Sequence, residues 1–463
     1  MADAEHDDRR SGVLDRRRPA PGAVDVDRRT PAPPPAPSRD VPPERLAAAD
    51  IAHHAALDAR MVQAARGIKL LTLASWPAGT EGQFLGGWTR GAPALPQIDY
   101  PKQDFADARR EFDAIMREAD ADHPLGQYLI DSARSWGIAA ELAEALGTGE
   151  VTRHSIRLYG KPDEPLPGDG PSTREAAQHF ISIADELDQA LLAPSEQVPI
   201  SATSLWLQLQ RALDDYFEGR VIEVVLDPEL ISKAAAGATR IRLRAGAAFS
   251  DYDRDQLLQH EAFVHSITAL NGREQPVLQS LSLSSPRTTA TQEGLATFAE
   301  QITGSIDIGR MKRISLRIEA VALALDGADF IEVFRYFLDA GQTPADSFGS
   351  AQRVFRGVPT TGGHAFTKDT VYLRGLVGVH TFFRWALQAQ KLHLCRALFA
   401  GKMTLADIVR FEPLFESGVL LPPRWMPPWI KRANGLAGML AFSLFANRIR
   451  LDAIAHSDDF VHL

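Results

Sequence analysis

Apolar residues recur at helical intervals along most of this chain, and the few interruptions are as informative as the rule. Leu46, Ile51, Ala55, Leu57, Met61 and Ala64 mark a first helix beginning near Glu44. Further helical patterns cover Asp104–Asp120, His123–Leu146, Ser172–Leu192 and Ser204–Phe217. Beyond the middle of the chain the same periodicity predicts helices over Arg310–Leu325, Asp329–Asp339, Ala345–Val354, Lys368–Lys391, Thr404–Phe411 and Leu436–Arg448. Trp76–Tyr100, broken by Pro77, Gly79, Gly82, Gly86, Gly87, Pro93 and Pro96, reads as loop, as do Pro165–Pro171 and the stiff Leu420–Trp429 segment.

A change of texture comes at Val221. Val221–Leu226 is rich in β-formers and stops at Asp227-Pro228, while Thr239–Arg244 alternates apolar and basic residues as a half-exposed strand does. Lying just before the next helix, that second strand is a candidate edge for pairing with an extended peptide; a solvated row of arginines is the alternative. The helix that follows holds Leu257, Leu258, Phe263, Val264, Ile267 and Leu270, with Ser250 or Asp253 to cap it and Asn271-Gly272 to end it. Another is expected from Thr289 or Thr291 to Gly304.

Inside the first of these two helices sit His260, Glu261 and His265; in the first turn of the second sits Glu293. Two imidazoles and a carboxylate, with a spare carboxylate beside the first imidazole, are the groups a hydrolytic Zn²⁺ site needs: three ligands, an open position and a base. On a regular helix, residues five apart point roughly 140° away from each other. A shared metal therefore predicts a wide π-type turn between His260 and His265, a feature found mostly at functional sites. Burying an unpartnered Glu261 among apolar neighbours would be costly, which favours a site over a merely hydrogen-bonded histidine pair. Gly294 is costly in a helix interior unless something approaches closely, and the metal helix is the expected neighbour. Thr297 stands where some zinc peptidases carry a supporting carboxylate, so whatever orients the histidines must come from elsewhere.

His260-Glu261-x-x-x-His265, followed by Gln292-Glu293-Gly294-Leu295-Ala296 and by Phe366-Thr367-Lys368-Asp369-x-x-Tyr372-Leu373-x-Gly375, resembles the QEGLA-motif family. Bacterial members of that family are described as flavohaemoglobin expression-modulating proteins. Its animal relatives are microtubule-associated tyrosine carboxypeptidases, zinc enzymes that trim the C-terminus of tubulin. The resemblance implies an α+β, predominantly helical, zincin-like fold of the gluzincin type with a small sheet before the metal helix. It also implies Zn²⁺ on His260, His265 and Glu293, Glu261 as general base, and a peptide or protein C-terminus as substrate. Tyr372, in the third motif, is the candidate donor to the oxyanion. A carboxypeptidase needs a cation for the terminal carboxylate, and Lys368, Arg374, Arg356 and Arg353 cluster around that motif. His364 is a further candidate donor, with an ordinary loop role as the alternative. Tubulin is not carried over, because the bacterial branch is the one resembled. A non-catalytic regulatory protein with a structural zinc site is the competing reading, although it has no need of Glu261.

Composition narrows the picture. The chain has 463 residues, 45% hydrophobic and 24% charged, enough for a large core. A formal net charge of −9 argues against a nucleic-acid partner. Cys395 is the only cysteine, which excludes an internal disulfide and a thiolate-rich metal site and fits a reducing, cytoplasmic setting. No signal-peptide core or membrane-length apolar run is visible. Residues 1–45, dense in Arg, Asp and Pro, are expected to be a disordered tail. A helical region over 46–200 is expected to pack on a catalytic core over 201–463.

Overall fold

The computed structural model describes residues 47–168, 170–187, 199–228, 230 and 233–446. The tail expected over 1–45 lies outside the described residues, as do the ends of the helices predicted to reach Leu192 and Arg448. All of the described residues belong to one compact unit, Ser38–Leu463.

Helices dominate. Those over Ala48–Ala65, Ala106–Glu118, Pro124–Glu144, Thr173–Glu186, Ala202–Phe217, Ile308–Leu325, Phe330–Asp339, Pro344–Val354 and Val371–Gln388 follow the apolar periodicity closely. Two others depart from it. Thr80–Thr89 is helical where the glycines predicted loop, because Phe84 is buried against Phe330, Phe334 and Phe348, and that packing outweighs the glycine cost. Glu150–Tyr159 went unread because its buried face mixes Val151 and Tyr159 with His154 and Ser155, which hides the period. No helix among the described residues is long and apolar enough to cross a membrane.

The strands are β1 (Ile200–Ser201), β2 (Glu223–Asp227), β3 (Ala234–Ala236), β4 (Arg240–Arg244) and β5 (Ala248–Phe249). β1 and β5 form a short antiparallel pair. In the other sheet the order is β2-β4-β3, with β4 parallel to β2 and antiparallel to β3. This corrects the edge-strand expectation: β4 has a neighbour on both sides and cannot add a substrate strand. Its arginines face solvent, where Arg240 pairs with Glu223 (3.1 Å) and Arg242 with Asp227 (3.3 Å). Helix Ala202–Phe217 covers the outer side of β2, where Gln210 accepts from Val224 N (2.8 Å) and donates to Ile222 O (3.0 Å). At the other side the Ser266 hydroxyl donates to Gly237 O (2.8 Å), tying the end of β3 to the helix that carries His260 and His265.

That helix starts with a reciprocal cap, in which Ser250 and Asp253 exchange side-chain-to-backbone bonds of 2.9 and 3.0 Å. It continues through Asn271 and Gly272 to Arg273 rather than stopping at them. Gly272 is needed there for closeness, since a Cβ would lie 2.2 Å from Leu281 O. Asn271 donates to Phe399 O (2.7 Å) and Trp425 O (2.8 Å) and accepts from Trp425 N (3.0 Å). Gln275 does the same for Ala400 O (3.1 Å) and both backbone groups of Leu421 (2.9 Å each). Two loops late in the chain are thereby fixed to the end of the helix that carries His260 and His265. Elsewhere in the core, Asp58 is buried and accepts from Ser280 N (3.0 Å) and from the Ser280 hydroxyl, which also contacts Tyr128 Oη (2.9 Å). Burial, only partly offset by the Ser280 bonds, raises the Asp58 carboxyl to about 6.

Candidate metal centre

From Leu257 to Ser266 the backbone winds as a π-helix, ten residues long and continuous with helix on both sides. The wide turn predicted from the spacing is present and extends beyond the two histidines. It brings the His260 and His265 rings to 4.8 Å between centroids, with planes at 83°. Glu293 reaches them from helix Thr289–Thr303, its Oε2 3.4 Å from His260 Nε2 and 3.7 Å from His265 Nε2. One ligand atom from each of the three residues lies within 4.8 Å of the others. Separations of 3.4 and 3.7 Å exceed good hydrogen bonds. They approach the edge of a tetrahedron with bonds of about 2.0–2.2 Å, roughly 3.4 Å. Two of the three edges thus come near that length, and two nitrogens with a carboxylate oxygen are a donor set suited to a small cation.

The group that orients His260 is Glu300, seven residues after Glu293 on the same helix. His260 Nδ1 lies 2.6 Å from Glu300 Oε1, an arrangement that keeps the proton on Nδ1 and leaves Nε2 to face Glu293 and His265. Glu300 is fully buried and is also held by Arg310, whose Nη2 donates to Oε1 at 2.7 Å and whose Nε donates to Oε2. Burial alone would lower the His260 pKa, but Glu293, Glu300 and Glu261 raise it to about 10. The surroundings thus favour positive charge at this position. Thr297, meanwhile, spends its hydroxyl on Glu293 O (2.8 Å).

On the other side of Glu293, Lys368 Nζ donates to Oε1 (3.1 Å). Burial opposes both charges, yet each stabilises the other. Lys368, with help from the imidazoles, holds Glu293 well below the usual carboxylate range, and Glu293 holds Lys368 above the usual lysine value. Gly294 packs against Gly375 of helix Val371–Gln388, not against the helix of His260 and His265; a Cβ on Gly294 would sit 2.2 Å from Gly375 C. Both glycines let these two helices cross at backbone contact, which sets Glu293 beside the Lys368–Tyr372 segment. Glu261 is half-buried and near enough to His260 and Lys402 to act on both electrostatically.

His265, Glu293 and Lys368 line a cavity of about 760 Å³ whose walls include Ile68, Leu70, Trp136, Tyr159, Ala236 and Lys402. The family model described as microtubule-associated tyrosine carboxypeptidase matches residues 86–448, a span that contains all of these groups except Ile68 and Leu70. The chain belongs to that family. Its motifs had pointed to the same relatives, and membership supports a carboxypeptidase-like function with peptides or proteins as the substrate class. Among solved structures, "Trypanosoma Cruzi Metallocarboxypeptidase 1" is similar at 14% identity and a TM-score of 0.34, over 82% of this chain and 98% of that one. A likeness that low transfers neither fold nor chemistry. No curated protein matches the sequence significantly.

The remaining family-motif residues divide. Tyr372 lies beneath Lys368 Nζ, 5.3 Å from its ring centre, and beside Arg353. Arg353 is bound to Asp369, with its Nε donating at 2.7 Å and its Nη2 at 2.5 Å. Arg356 and Arg317 join this group without an acidic partner in ion-pair range among the described residues. Burial and the neighbouring Arg353 charge lower Arg356 and bring Arg317 down to about 10. Arg374 is turned away and pairs with Glu164. His364 packs over Gly149, where a Cβ would meet its ring at 2.6 Å. Sequence reasoning missed Glu300, Arg310, Arg317 and Lys402. For Glu300 a signal existed, since a residue seven places after Glu293 returns to the same helix face. The other three are brought in by tertiary packing alone.

Proposed function

We propose that this protein is a zinc-dependent carboxypeptidase that removes residues from the C-terminus of a peptide or protein. The observation that carries this reading is the convergence of His260, His265 and Glu293, the last two at the wall of the cavity, with Glu261 next to the first ligand in sequence. His260, His265 and Glu293 would hold the ion, and two nitrogens with one carboxylate oxygen are a donor set zinc accepts in catalytic sites. Bound there, zinc supplies Lewis-acid chemistry, acidifying a water and polarising a carbonyl.

The chain's own residues do the rest. Glu261 takes the proton from the attacking water and hands it to the departing amine. Glu300 keeps His260 in the tautomer and orientation that a ligand needs. Lys368 keeps Glu293 ionised, so that Oε2 remains available to a cation. Tyr372 is the donor proposed for the oxyanion, with its position fixed by Lys368 and Arg353.

Glu261→Gln is the test. It keeps the shape of the side chain and removes the base, so zinc content should be unchanged while trimming of a peptide panel, followed by mass spectrometry, slows about 100- to 10,000-fold. Trimming at the original rate by the variant would rule out this mechanism. If neither protein trims any peptide, and the biological effect survives the substitution, the regulatory reading stands instead.

A further inference from the structure

The cavity beside the ligand triad holds polar groups to which the mechanism above gives no task. Lys402 is 8% exposed and lines the cavity. Its ammonium donates to the Ser284 hydroxyl (2.8 Å), and among the described residues no carboxylate pairs with it. A buried ammonium with one neutral partner is costly to keep. Its surroundings reflect that cost, since burial lowers its pKa to about 8 against the opposing pull of Glu293 and Glu261.

Two more groups lining the same cavity lack partners. Gln292 Nε2 and Ser285 Oγ are both buried and make no hydrogen bond among the described residues. Gln292 accepts at Oε1 from the Thr268 hydroxyl (2.9 Å), which leaves its amide nitrogen as the unused end. Lys402 itself is held rigidly. Its backbone N–H donates to Leu281 O (2.7 Å), Gly401 packs on Leu281, and Gln275 clamps the adjoining Ala400. A cation without a counter-charge, an unused amide donor and an unused hydroxyl line one cavity, a set of groups suited to a small anion with two oxygens.

We propose that Lys402, with Gln292 and Ser285, binds the α-carboxylate of the substrate's last residue. This rests on the carboxypeptidase reading and names the subsite that such an enzyme requires. Lys368 has its charge committed to Glu293, Arg374 is paired with Glu164, and Arg317, Arg353 and Arg356 do not line the cavity. Arg66 and Lys69 also line the cavity but are exposed to solvent, which leaves Lys402 as the buried cation there without a carboxylate partner among the described residues. Trp136, Tyr159 and Leu70 beside it provide apolar surface for the side chain of that last residue.

The probe is an N-blocked dipeptide ending in phenylalanine, prepared as the free acid and as the carboxamide. Its binding to the zinc-loaded full chain carrying Glu261→Gln is measured by calorimetry, so that no turnover interferes. The acid should bind about 10- to 100-fold more tightly than the amide, as a charge-assisted contact implies. Lys402→Met should erase that preference by weakening the acid alone, and Lys402→Arg should restore much of it. Equal affinity for acid and amide before any change at Lys402 overturns the proposal, as does an equal loss for both ligands in Lys402→Met. The acid–amide comparison in the unchanged cavity needs no Lys402 variant to fold. The two readings fail separately: loss of trimming in Glu261→Gln with acid preference intact in Lys402→Met sinks only the subsite. Acid preference through Lys402 without trimming of any peptide sinks only the enzyme.

Discussion

Gly294→Ala sets two opposed effects against each other. In a helix interior, replacing glycine by alanine ordinarily stabilises by about 0.5–1 kcal/mol, because the unfolded chain loses freedom. Here the new Cβ would lie 2.2 Å from Gly375 C, 2.3 Å from its O and 2.6 Å from its Cα. Ordinary contact begins near 3.4 Å, so the two helices would have to part by about 1 Å. The obstacle is backbone, which cannot rotate away, and overpacking of this kind costs about 1–3 kcal/mol or more. The steric cost wins, and the expected net loss is about 2 kcal/mol. Activity should suffer more than stability. The same separation moves Glu293 relative to Lys368, and a misplacement of about 1 Å can reduce rates by about 100-fold. Denaturant unfolding, zinc content and peptide trimming measure the three consequences. Gly349→Ala, within helix Pro344–Val354 where a Cβ meets nothing within 4 Å, is the control and should gain about 0.5–1 kcal/mol. A Gly294→Ala protein as stable as its parent would show that the crossing is looser than described.

Other expectations concern buried charge. Glu300→Gln should weaken zinc binding about 10- to 100-fold, measured by competition with a chelator, and should cost about 3–5 kcal/mol of stability by stranding Arg310. An affinity within twofold of the parent would remove Glu300 from its supporting role. Asp58 gives a pH signature. Its carboxyl is raised from 3.8 to about 6, so the native state binds that proton more tightly than the unfolded chain. The resulting stabilisation is complete below about pH 4 and lost as pH rises through 6, amounting to about 3 kcal/mol at 1.36 kcal/mol per unit. Asp58→Asn should therefore gain on its parent by that order between pH 4 and 7.5 in denaturant titrations. A difference that stays flat over that range would mean that Asp58 titrates normally.

How much of this could be read beforehand depended on how local the signal was. The π winding was legible because a shared metal forbids five-residue spacing on a regular helix, so one constraint and two positions were enough. Ser250 and Asp253 announced their cap, and Gly304 ends the second helix at φ 71° as expected. Gly294 was rightly read as a point of close approach, but the partner was misassigned, since sequence does not say which helix arrives. β4 was read as an edge because the strand that covers it, Ala234–Ala236, is an alanine run with little β character. Lys402 lies more than a hundred residues from the ligands and reaches the cavity only through Leu281, Asn271 and Gln275. No periodicity records that path.

The wide winding also governs what lies downstream of the histidines. Regular α winding of the same ten residues would turn each by about 100° and swing every later side chain about the axis. Asn271 and Gln275, which stitch the loops near Phe399 and Trp425 to this helix, would lose their register in the same stroke. A return to regular winding at the present five-residue spacing would thus unpick the seam that carries Lys402 as well as part the two imidazoles. The wide turn is therefore tied to the packing of these loops as well as to the chemistry proposed for the two histidines.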